Sequence, residues 1–144
     1  MTPTARDAAI QTIQRELTAF ARRARGRAAE LHPELSLVAA SILDLVIDRD
    51  GCLASGLAEH FLLDKSTVSR QVAALERDGY LTREVDPANR RNHILRATAA
   101  GKKVARAAER ARGRAFTERF RDWDDRDIAR LAEYLVRYNA PDDS

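Results

Sequence analysis

Apolar residues at Ile10, Ile13, Leu17, Phe20, Ala24 and Leu31 recur at intervals of three, four and seven, with mostly polar residues between them. That spacing predicts one long amphipathic helix over residues 5–31, broken by Pro33. Ser36 is placed to cap a second helix running to about Asp48, with Val38, Ile42, Leu45 and Val46 on its apolar side. A short helix is expected in "ASGLAEHF". Asp64 then caps a helix that runs to about Asp78 and stops at Gly79. Beyond it, "YLTREV" and "NHILRAT" are rich in β-formers and flank a tip containing Pro87, the pattern of a hairpin. Thr98 is the cap of a long helix from 99 to about 120, striped by Val104, Ala108, Ala111, Ala115 and Phe120. Asp124 caps a last helix carrying Ile128, Leu131, Ala132, Leu135 and Tyr138.

The expected fold class is therefore mainly α with a small β hairpin. The helices at both ends carry apolar stripes with little in the middle of the chain to cover them. Pairing with a second copy, a homodimer, is the economical way to keep those stripes from water.

The helix after Asp64 carries two distinct faces. At 100° per residue, Val68, Val72 and Leu75 gather on one side, while Ser66, Arg70, Ala73 and Arg77 lie opposite and Thr67 and Ser69 flank them. Short hydroxyls, a small residue and one long cation let such a face approach a surface closely. Its free N–H groups favour phosphate, and its hydroxyls and arginine can reach base edges in a major groove. The preceding "GLAEHFLLD" supplies a partner helix and a tight turn, which makes a helix-turn-helix. The hairpin that follows carries Arg90 and Arg91 at its tip, as a wing would, and an arginine there can enter a narrow minor groove. Residues 65–96 hold seven cations against four anions, a surplus equal to the +3 of the whole 144-residue chain. A charge of that size does not by itself establish a nucleic-acid partner. In this segment it coincides with the helix and the hairpin tip.

The quoted segments "LAEHF", "DKSTVSRQVAALERDGYLTRE", "DPANRR" and "ATAAG" together resemble the MarR family of bacterial transcriptional regulators, over nearly the whole chain. The resemblance implies a single domain over 1–144. Within it, 35–98 would form a winged helix-turn-helix that binds DNA, and 5–31 plus 99–138 the dimerisation helices. A homodimer would bind a pseudo-palindromic double-stranded DNA operator, as a repressor, and be released by a small aromatic or anionic ligand. On this reading Ser66, Thr67, Ser69 and Arg70 read or position on the major groove, and Arg90 enters the minor groove. Arg91 braces the wing or touches phosphate, and Lys65 and Arg83 are phosphate contacts. Arg22, Arg23, Arg25, Arg27 and His32 lie where the first helix meets the winged part and are the candidate ligand-binding residues. Two departures stand out. The family usually has aspartate before the two arginines, to pair with one of them, where this chain has Asn89. The usual Leu-Thr before the long helix is Ala97-Thr98.

Other chemistries find less support. There is no nucleophile elbow, phosphate-cradling glycine loop or metal-binding helix, so the pattern is not that of an enzyme and implies no cofactor. His32, His60 and His93 lack ligand spacing, which points away from a metal site. The single cysteine, Cys52, sits beside Leu53 as apolar filler, and a lone cysteine suits a reducing cytoplasm. No apolar run is long enough to span a membrane. The competing reading is a winged-helix module that binds protein and has no operator of its own.

Overall fold

The structure is a computed structural model and describes all residues except Met1, Pro3, His32, Pro33, Asp143 and Ser144. Its elements run α1 (Ala5–Leu31), α2 (Leu37–Asp48), β1 (Cys52–Leu53), α3 (Leu57–Phe61), α4 (Lys65–Arg77), β2 (Leu81–Val85), β3 (His93–Ala97), α5 (Ala99–Arg119) and α6 (Asp125–Asn139). Chain contacts divide it into two compact units, Met1–Glu109 and Arg110–Ser144.

Each expected cap is made. Ser36 Oγ accepts the Ala39 N–H at 3.1 Å and donates to Gln71 Oε1 at 3.0 Å, so the start of α2 is also tied to α4. The Asp64 side chain accepts from Thr67 N–H, Thr98 Oγ1 from Gly101 N–H, and Asp124 from Arg126 N–H. These contacts satisfy N–H groups that a helix start cannot pair internally.

The sheet has three strands in the order β1-β3-β2, all antiparallel. The hairpin pairs Leu81 with Ala97 and Val85 with His93. Strand β1 is an addition to the sequence expectation: Cys52 and Leu53 pair with Leu95 and Ile94. It follows a turn in which Asp50 and Gly51 both take positive φ. Arg96 crosses from β3 to this turn. Its Nη1 donates to the Asp50 carbonyl at 3.1 Å, and its Nε meets Glu84 Oε2 at 3.2 Å. One guanidinium thus holds the hairpin to the end of α2.

The core of the first unit is wholly apolar among the described residues. Ile42, Leu43 and Val46 of α2 meet Leu57 of α3 and Val68, Val72 and Leu75 of α4, with Leu81 and Leu95 closing it from the sheet and Val104, Ala105 and Ala108 from α5. The helix-turn-helix and the hairpin therefore share one core, and neither can shift without the other.

The hairpin's foot is the tightest point. Thr98 N–H donates to the Tyr80 carbonyl at 3.1 Å, and Thr98 Oγ1 donates to the Gly79 carbonyl at 2.6 Å. Gly101, one turn into α5, lies so close to this strand that an added Cβ would collide with the Tyr80 carbonyl oxygen and stand 3.0 Å from its carbon. The Ala97-Thr98 departure is accommodated here, since Thr98 alone makes the cap.

No residue of α1 or α6 is buried. On α1, Leu17, Ala24 and Leu31 are half-covered while Ile10 and Ile13 are exposed. In the second unit Phe120 stacks on Phe116 and takes the edge of Trp123 at 5.1 Å, a small aromatic cluster at the α5–α6 corner. Tyr134, Leu135, Val136 and Tyr138 are exposed on α6.

Two glycines of α5 should respond oppositely to alanine. Gly101→Ala must push backbone apart and should lower stability by roughly 1–3 kcal/mol. Gly113, with nothing within 4 Å of its added Cβ, should give a gain of about 0.5–1 kcal/mol. Urea denaturation of both variants checks this, and equal effects would refute the close approach at Gly101.

Candidate nucleic-acid interface

Helix α4 stands on Val68, Val72 and Leu75, which are at most 5% exposed. This leaves Lys65, Ser66, Ser69, Arg70, Ala73 and Arg77 exposed, with Thr67 half-buried at the flank. The two faces are those expected from the helical wheel. What the wheel does not contain is the hydrogen bonding at the helix start. Asp64 Oδ1 accepts from Ser66 Oγ at 2.6 Å and from Thr67 N at 2.7 Å, while Oδ2 accepts from Thr67 Oγ1 at 2.8 Å. Arg70 Nη2 in turn donates to Thr67 Oγ1 at 3.3 Å. The hydroxyl bonds and the Thr67 N–H hold the Asp64 carboxyl down at about 2. The carboxylate therefore remains charged at any physiological pH.

The turn before α4 also has an unusual residue. Leu62 ends α3 in the left-handed conformation, φ 54°, and its side chain is 90% exposed. Both features disfavour leucine there.

On the wing, Arg90 and Arg91 are exposed at the tip. The tip is built by turns: Asp86 Oδ1 accepts the Ala88 N–H, and Asn89 Oδ1 accepts the Arg91 N–H at 3.1 Å. Backbone bonds Asn89 N–H to Asp86 O and Asn92 N–H to Asn89 O complete it. Asn89 thus orders the tip through its amide oxygen, without a charge. Arg83 is engaged midway along β2, with Nη2 and Nε at 2.8 and 3.1 Å from Glu76 Oε1. This pair, about one-third exposed on both sides, clamps the wing to α4. Sequence reasoning took Arg83 as a phosphate contact; its pair with Glu76, seven residues away on a different element, left no local sign in the string.

A model of the MarR family matches residues 34–92, the stretch from the start of α2 to the wing tip. Over 132 residues the chain is 33% identical to the HTH-type transcriptional regulator YxaD of Bacillus subtilis (strain 168), covering 90% of this chain and 92% of that protein. The chain belongs to the MarR family. Its relatives are transcriptional regulators, not enzymes. Among solved structures, a MarR-family regulator from Rhodococcus sp. RHA1 is 26% identical with a TM-score of 0.76, spanning 88% of this chain and 91% of that one. CouR from Rhodococcus jostii RHA1, solved with p-coumaroyl-CoA bound, is 26% identical with a TM-score of 0.73, over 90% and 92% of the two chains. The hairpin of this MarR-family chain is accordingly the wing of a winged helix, and α3–α4 is its helix-turn-helix.

The remaining candidates are placed as follows. Arg22, Arg23, Arg25 and Arg27 are all exposed on α1, and at 100° per residue they point around the helix instead of converging. His32 lies outside the described residues. A groove of about 240 Å³ lies elsewhere, between α2 and α5, lined by Asp44, Asp48, Lys102, Arg106 and Glu109 with Ile47 and Ala105 at its floor. Cys52 is half-buried in β1, and burial pushes its thiol upward, with Arg49 acting weakly in the opposite sense. Such a thiol is mostly protonated and a poor nucleophile. Among the described residues no helix is long and apolar enough to cross a membrane, and no three His, Cys, Asp or Glu side chains gather to hold a metal ion.

The Asp64 contacts set a pH dependence. The carboxyl titrates at about 2 in the folded chain against an ordinary 3.8. Its stabilisation is therefore complete above about pH 4 and is lost as pH falls toward 2. Melting curves of wild type and Asp64→Ala should differ most from pH 5 upward and converge near pH 2. A constant difference across that range would refute the assignment.

Proposed function

We propose that two copies of the chain bind a pseudo-palindromic duplex operator in the cytoplasm and repress transcription there. The observation that carries this reading is the pairing of two exposed surfaces on one shared core: the hydroxyl- and arginine-bearing face of α4, and the wing tip with Arg90 and Arg91. Helix α4 lies in the major groove, with Ser66, Thr67, Ser69 and Arg70 toward base edges. Arg90 enters the minor groove, where a narrow groove concentrates negative potential. Arg91 meets phosphate beside it, and Lys65 does so at the start of α4. Arg83 keeps its Glu76 pair and acts chiefly by holding the wing, with its free N–H edge toward phosphate.

Residues 35–98 are the DNA-binding part of a single domain, and 5–31 with 99–138 form the dimer. Support comes from Ile10, Ile13, Leu135 and Tyr138, all more than two-fifths exposed, more apolar surface than terminal helices ordinarily leave in water. A small aromatic or anionic ligand releases the operator. CouR, an aromatic acyl-CoA binder of similar fold, supports that part, and the arginines at 22, 23, 25 and 27 supply a cationic stretch for an anion.

Size measurement in dilute solution should give a particle of about twice the 16.1 kDa chain. A monomer that binds a two-fold operator tightly would contradict the assembly. Binding to a selected operator should weaken steeply with salt, because phosphate contacts release counterions. Arg70→Ala should lose roughly 1–3 kcal/mol and relax preference at one position per half-site. Arg90→Ala should weaken binding to most duplexes, and most of all where the flanks are A·T-rich. Titration across operator variants at fixed salt separates the two. Uniform loss for Arg70→Ala would make it a phosphate contact, and no loss for Arg90→Ala would remove the wing from the complex.

A further inference from the structure

A serine hydroxyl on a recognition helix is ordinarily indifferent to the base it meets, because it can donate or accept by rotating about its C–O bond. Ser66 has lost that freedom. Its hydrogen is directed at Asp64 Oδ1 across 2.6 Å, a short bond of the charge-assisted kind. The same oxygen is fixed in place by the Thr67 N–H at 2.7 Å. The carboxylate is anchored further by the Thr67 hydroxyl on Oδ2. With its hydrogen committed, Ser66 Oγ shows only lone pairs to the solvent side of α4, where Ser66 is exposed. Thr67 is committed in the same way, but it is half-buried and one of its lone pairs already accepts from Arg70. Ser69 differs from both: it is exposed, and its hydroxyl makes no hydrogen bond among the described residues, so it can turn either way.

We infer that Asp64 is a specificity determinant of operator recognition, acting through Ser66 by fixing its hydroxyl as a hydrogen-bond acceptor. The inference rests on the reading of α4 as the major-groove helix. In that groove adenine N6 and cytosine N4 are donors, whereas guanine O6 and thymine O4 are acceptors. An acceptor-only serine bonds to adenine or cytosine on the strand it faces. Against guanine or thymine it sets lone pair against lone pair, and turning the hydroxyl to donate would break the bond to a buttressed carboxylate. Asp64 stays ionised at physiological pH, so the preference does not change there. Its carboxyl group need not touch DNA for this to operate, which makes it a positioning residue and Ser66 the contact.

The test is selection of bound sequences from a random duplex pool by the full chain and three variants at fixed salt. Ser66→Ala identifies the position, as the one in each half-site whose preference it abolishes. In the wild type that position should favour adenine or cytosine over guanine or thymine by roughly three- to tenfold, the scale of one net hydrogen bond. Asp64→Gly removes the carboxylate while keeping a tolerated helix cap, so the protein still folds. It should bring the preference at that position to within about twofold. Ser69→Ala should leave it intact. A wild-type preference for guanine or thymine there, no position altered by Ser66→Ala, or an unchanged preference in Asp64→Gly would each overturn the inference while operator binding itself stands. A wild-type chain that selects no duplex at all would overturn the DNA-binding reading along with it.

Discussion

Everything in the first unit hangs on the junction where Thr98 meets Gly79 and Tyr80. Within four residues, the end of α4, the start of β2, the end of β3 and the start of α5 are bound by a hydroxyl–carbonyl bond, a backbone bond and a helix cap. Gly101 lets α5 approach that junction at a distance no side chain would allow. Recognition helix, wing and long helix thus share one fixed corner. The apolar core behind it has no buried polar group among the described residues to impose direction, so the register of these elements comes from the corner and not from the core. Hydrophobic burial brings the elements together, and the short polar bonds decide where they stop.

The same division of labour runs through the site. The α4 face that meets solvent is defined negatively, by what Val68, Val72 and Leu75 withdraw into the core. Its chemistry is then refined by bonds inside the face itself, with Asp64 restraining two hydroxyls and Arg70 resting on one of them. The wing is refined likewise. Arg83 is given to Glu76, and Arg96 to Glu84 and the Asp50 carbonyl, which leaves the tip arginines as the cations that project. The charge surplus of this segment therefore overstates the number of cations available to a polyanion, because two of the seven brace the scaffold.

Much of this was legible in the sequence, for identifiable reasons. Helix caps are local: Ser36, Asp64, Thr98 and Asp124 act on residues two or three positions away, so their chemistry is visible in the string. The hairpin and the two faces of α4 follow from short-period patterning. Strand β1 was missed because two residues cannot display alternation, and they pair only after Asp50 and Gly51 turn the chain. Gly101 was missed because its demand comes from the backbone of Tyr80, twenty-one residues earlier. The Asp64 network was half-seen. The cap was read, but not the direction in which it turns the neighbouring hydroxyls. Asn89 was read as a departure from the family's aspartate, and the string does not show that its amide oxygen accepts the Arg91 N–H within the tip.

Leu62 carries one more consequence. A leucine held at φ 54° and left 90% bare is conformationally disfavoured and gains nothing from burial, so the turn ahead of α4 rests below its attainable stability. Asparagine or glycine would relieve the backbone. A replacement that raises the melting temperature cannot also owe a loss of affinity to misfolding, which makes Leu62 an internal reporter able to separate what the turn does for the fold from what it does at the surface.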